Sequence, residues 1–132
     1  MNIAAMLQAE ELRLQKVNEF IRIIASCGCQ HFNHDGFVST FELSDAERVY
    51  FIDCVSKKRI YTHRSGMEWK GFTQGITLKR FVENLRDFIK KGERLSLSYF
   101  KSDWGYGIKS PWDYGEDIRI IRDAAQRLGI VK

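Results

Sequence analysis

Cysteine and histidine are the residues here whose types could do chemistry without help from a cofactor. Cys27, Cys29, His31 and His34 fall within eight residues, and all four are zinc-ligand types. Tetrahedral zinc usually takes ligand pairs from separate elements, with at least two residues between paired cysteines, and this spacing is tighter. Cys27 therefore reads better as a small apolar residue at a helix end, and no bound metal is expected. A thiol nucleophile is the second possibility. Cys54 and His63 lie on candidate neighbouring strands and could meet, but nothing in the sequence supplies an orienting partner. The chain shows no glycine-rich phosphate loop, no nucleophile elbow and no paired histidines on a helix, so a catalytic role is not expected.

The stretch HFNHDGFVSTFEL, residues 31–43, poses a third question. Taken as twelve positions from His31 to Glu42, it resembles the EF-hand calcium loop at Asn33, Asp35, Gly36, Val38, Ser39 and Glu42. The first position is His31, where calcium requires an oxygen ligand. The flanks also disagree, because Gly28 ends the preceding helix early and the following residues alternate as a strand. No second loop is present to pair with it. The reading left is a turn at Asn33–Gly36 that enters a strand.

The elements that must position these residues can be read from periodicity. A long helix is expected over about residues 2–26, with Ile3, Met6, Leu7, Leu14, Val17, Phe20, Ile21 and Ile24 on one stripe that Glu10 and Arg13 interrupt. The N-terminal turns are expected to extend past the core. The period then changes to two: a half-buried strand at 37–43, two more at 49–54 and 59–63, and a weak fourth at 67–72 give an antiparallel meander. TLKRFVENLRDFIKKG is an amphipathic helix with Thr77 as N-cap, Ile76 stapled to Phe81, and Gly92 at the end. A last amphipathic helix spans about 116–128. The fold class is therefore α+β: a long N-terminal helix, an antiparallel meander of three to four strands, and two C-terminal amphipathic helices. With no Pro- or Ser-rich linker, residues 1–132 are expected to form a single α+β domain.

Charge is unevenly spread. Residues 1–56 carry 4 basic and 8 acidic side chains, residues 57–109 carry 13 and 5, and residues 110–132 carry 4 and 4. The basic middle segment supplies Lys57, Lys58, Arg59, Arg64, Lys79 and Arg80 as candidate contacts to phosphate or to an acidic protein surface. Helix 78–91 lacks a clean basic face for groove reading, because Glu83 and Asp87 stand at i,i+4 to Lys79 and Lys91. No signature of an aromatic RNA-binding sheet appears. A repeated W-x-Y-G, WGYG at 104–107 and WDYG at 112–115, adds flat aromatic faces. Trp104, beside the apolar segment 95–100, is assigned to the core. Trp112, between Pro111 and Asp113, is assigned with Tyr114 to an exposed partner-binding loop.

Three cysteines, two of them one residue apart, argue against a secreted disulfide framework, and the charged N-terminal residues argue against a signal peptide or membrane anchor. A cytoplasmic protein without cofactors is expected. WKGFTQGITLKRFVENLRDFIKKGERL, followed by DWGYG, resembles small proteins encoded by phages and prophages. The resemblance covers roughly half the chain and contains no catalytic motif. It implies an accessory protein that binds and modulates a host protein or nucleoprotein complex. Direct binding of nucleic acid is the alternative, and a metal- or thiol-dependent enzyme comes third.

Overall fold

The computed structural model describes residues 2–64, 69–101, 110–112 and 115–132. Its elements, in order, are α1 (Ile3–Ala25), β1 (Asn33–His34), β2 (Phe37–Val38), β3 (Thr40–Leu43), β4 (Val49–Ile52), β5 (Arg59–Tyr61), α2 (Gly75–Lys91), a 3-10 turn (Leu97–Phe100) and α3 (Asp117–Arg127). The class is α+β, with β1 and β2 forming a hairpin and β3-β4-β5 an antiparallel three-stranded sheet. α1 packs against β3, α2 and α3, while α2 packs on β4. The apolar side chains of these elements meet in one buried cluster.

α1 begins where Asn2 accepts a hydrogen bond from the Ala5 N–H through its side chain. Only the part of the stripe from Leu14 onward reaches the core; Ile3 remains 69% exposed. The two charges that break the stripe have structural partners. Arg13 donates to the carbonyl oxygens of Ile89 and Lys90, at 2.9 and 3.4 Å, and so satisfies acceptors that the last turn of α2 leaves open. Glu10, itself buried, meets Lys90 Nζ at 3.1 Å. Asn18 hydrogen-bonds both to and from the Phe41 backbone, which occupies the outer edge of β3 and blunts it against further pairing.

Within the sheet, Phe41 faces Phe51, which faces Ile60, and all three are buried beneath α1 and α2. The alternate phase places Glu42 beside Tyr50 and Tyr50 beside Tyr61 on the opposite face. At the β4–β5 turn the buried Asp53 carboxylate accepts from the N–H groups of Val55 and Ser56, both at 2.9 Å. It also accepts from the Thr73 N–H at 2.8 Å and from the Thr73 hydroxyl. One side chain thus closes the turn and ties it to the lead-in of α2. The C-terminal end is held by Leu95, which pairs with Val131 in a parallel bridge.

Several expectations need correction. The strand expected over 37–43 is broken at Ser39 into β2 and β3, since Phe37 and Val38 pair back onto Asn33 and His34. Residues 69–72 form a turn rather than a strand, and 67–68 lie outside the described residues. α2 starts at Gly75, so Thr77 lies inside it rather than capping it, and Ile76 is exposed rather than stapled to Phe81. Its C-terminus does end on Gly92 in the left-handed conformation, with φ 73°. Lys79 pairs with Glu83 as the spacing indicates, but Asp87 is bound by its neighbour Arg86.

Candidate functional site

The fold keeps Cys27, Cys29 and His31 around Asp117 and places His34 apart on the β1–β2 hairpin. Cys27 sits in the core, its thiol against the Ile23 carbonyl. Cys29 turns to Asp117 at the start of α3, whose carboxylate also accepts the N–H groups of Gly28 and Cys29, at 3.2 and 2.9 Å. Burial pushes this carboxyl up, but the Cys29 and Gly28 hydrogen bonds outweigh it and hold the acid below its ordinary range. His31 Nε2 lies 2.8 Å from the Pro111 carbonyl, so that nitrogen carries the proton, and its ring meets Trp112 edge-on. His34 lies exposed on the β1–β2 hairpin beside Asp35.

The calcium-like stretch is dispersed. Asp35 and Gly36 have φ of 50° and 84°, the left-handed pair that a two-residue hairpin turn of mirror-image type requires. The Asn33 amide donates to the Ala25 carbonyl, and Glu42 faces Arg59 across the sheet. The four positions that would supply calcium ligands, His31, Asn33, Asp35 and Glu42, thus take different partners: Pro111, Ala25, His34 and Arg59. His31, the position that does not fit calcium, is the tether between the first loop and the last.

Cys54 and His63 do not meet. Cys54 is buried beside Gln74 and Ser39, whereas His63 rests near Tyr61 at the far end of β5. Burial lowers the His63 pKa, with the Arg86 charge adding to the effect, so the ring is neutral at pH 7. All three thiols are raised. Burial, with help from Asp117 and Cys29, takes Cys27 from 9.0 to about 11, and burial is also the main cause for Cys29 and Cys54. At pH 8 Cys27 should hold about a hundredfold less thiolate than a thiol of pKa 9. Slow reaction of native protein with a disulfide reagent, and fast reaction in denaturant, is the expected result. Labelling of native Cys27 at the rate of a free thiol would contradict it.

The candidate cations also separate. Lys57, Lys58 and Arg59 are exposed along the β4–β5 turn, and Arg64 is exposed beyond β5. Lys79 is not a free contact: it is only 8% exposed, lies over the Trp69 ring at 4.5 Å and pairs with Glu83. Arg80 is exposed on α2. Trp112 is a second correction. It is fully buried, with Phe81 at 4.8 Å between ring centroids and its indole N–H donating to the Tyr99 carbonyl at 2.9 Å. The polar neighbours that suggested exposure concern its flanks; the ring itself points inward. Trp104, Tyr106 and Tyr114 lie outside the described residues.

The sequence reading missed the open face of the three-stranded sheet. Tyr50 and Tyr61 stand side by side there, with centroids 5.5 Å apart. The Arg59 guanidinium lies 3.6 Å from the Tyr50 centroid while its Nε donates to Glu42 at 3.0 Å, and Arg48 lies 5.3 Å from the Tyr61 centroid. The signal was available: both tyrosines occupy the outward phase of strands whose inward phase is Val49, Phe51 and Ile60.

The YoqU family model matches residues 8–132. The chain belongs to the YoqU family. No curated protein and no solved structure matches it. Among the described residues, no helix of this YoqU-family chain is long and apolar enough to cross a membrane.

Proposed function

We propose that this protein is a non-enzymatic accessory protein, phage- or prophage-encoded and cytoplasmic, that binds a host protein or nucleoprotein complex through the open face of its sheet. The observation that carries the reading is the ordered Tyr50–Tyr61–Arg59–Arg48 surface. Aromatic and arginine side chains are the types that most often anchor macromolecular contacts, and here they are fixed by each other rather than by the core. Lys57, Lys58 and Arg64 extend the positive charge at the two ends of β5. The separation of Cys54 from His63 and the raised thiols favour binding over nucleophilic catalysis.

The test is a pull-down from native cytoplasm with wild type and with the double variant Tyr50→Ala, Tyr61→Ala, each with and without nuclease. The expected result is a specific complex that wild type retains and the variant loses while its circular dichroism is unchanged. A complex recovered equally by both proteins would move the binding surface off the sheet and overturn the reading.

A further inference from the structure

The outward face of β3-β4-β5 combines flat aromatic area, a guanidinium held over one of the rings, and an excess of positive charge. The helices described above cover the opposite face. Glu42 accepts from the Arg59 Nε and so helps hold the guanidinium over Tyr50. The guanidinium carbon lies 3.6 Å from the Tyr50 centroid with the Tyr61 ring next to it, so the cluster offers flat faces beside the remaining guanidinium N–H groups. Planes of this kind complement planar bases, and single-stranded nucleic acid is recognised by stacking on aromatic rings and arginine planes. Duplex hides the faces of its bases within the stack, so stacking of this kind favours single strands.

Charge along the face fits a phosphate chain on the β5 side. Arg59 lies at the turn end together with Lys57, whose ammonium rests 5.2 Å from the Phe37 centroid, and Arg48 and Arg64 lie at the other end, where Asp45 and Glu47 share the β3–β4 connection with Arg48. Resting on the sheet-face reading above, we infer that this surface binds single-stranded nucleic acid, with bases stacked on the Arg59–Tyr50 pair and on Tyr61. Phosphates then meet Arg48, Arg64 and Lys57.

The test is fluorescence anisotropy at about 50 mM salt, where phosphate contacts are weakly screened, using labelled oligo-dT, oligo-U and a duplex of the same length. Wild type should bind both single strands in preference to duplex. With about three phosphates neutralised, the affinity should fall with salt at a logarithmic slope of about −2. Tyr61→Ala and Arg59→Ala should each weaken binding about tenfold, and Tyr61→Phe should preserve it. If Tyr61→Ala shifts the unfolding midpoint, Tyr61→Leu keeps apolar bulk without a flat ring and should show the same loss. No binding by wild type, a preference for duplex, or equal affinity in all variants would overturn the inference. A pull-down in which the sheet variant loses a nuclease-resistant protein complex, together with absent oligonucleotide binding, would overturn this inference and leave the accessory-protein reading standing. A pull-down insensitive to the variant would remove that reading as well.

Discussion

Replacing Trp112 with alanine should destabilise the protein by about 3 to 5 kcal/mol, the range for truncating a buried aromatic residue. The ring is fully buried among Phe81, Phe100 and His31, and its N–H donates to the Tyr99 carbonyl. Trp112→Phe keeps part of the ring packing but abandons the Tyr99 carbonyl, so its loss should be smaller. Denaturant unfolding of the three proteins measures both values. A loss below about 1 kcal/mol in the alanine variant would mean that the site collapses or fills without cost, against the usual behaviour of tryptophan-sized cavities.

Asp53→Ala should have an effect of similar size, about 3 to 5 kcal/mol, for a different reason. The mutation removes a buried acceptor that serves the N–H groups of Val55, Ser56 and Thr73 and one hydroxyl. Hydrogen bonds to charged groups contribute about 1.5 to 3 kcal/mol each, and buried donors left without partners add their desolvation cost. These terms are coupled through one side chain and do not simply add. Asp53→Asn retains one acceptor oxygen but turns an amide NH2 toward the same donors, so it should fall between wild type and Asp53→Ala. Unfolding midpoints decide the order; an Asn variant as stable as wild type would show that the charge itself contributes nothing.

The helices and the sheet were legible because periodicity reports burial directly. Leu14, Val17, Phe20, Ile21 and Ile24 recur at helical spacing and are buried, and Phe41, Phe51 and Ile60 hold the inward phase of three strands. Features that depend on a single contact between distant residues were not legible. Trp112 has no periodic neighbours, and the His31–Pro111 contact that draws its loop inward spans 80 residues. Thr77 has the type of a cap, yet the chain turns into α2 two residues earlier, after Thr73 is fixed by Asp53. The same limit hid the candidate surface. Tyr50 and Tyr61 can each be read as ordinary strand residues; only the register brings them together, and only the stack on Tyr50 shows what Arg59 is doing.

The packing of α1 has a consequence for how the chain is made. This helix emerges from the ribosome early, yet it contacts α2 and α3, and α3 begins only at Asp117. At ordinary rates of chain elongation the interval between Ala25 and Asp117 is on the order of ten seconds. Throughout it the stripe from Leu14 to Ile24 lacks part of its final cover. The nascent protein therefore presents this hydrophobic face to solvent before α3 exists to close it. Chaperone capture and early misassociation would both act there, on a helix made long before the one that covers it.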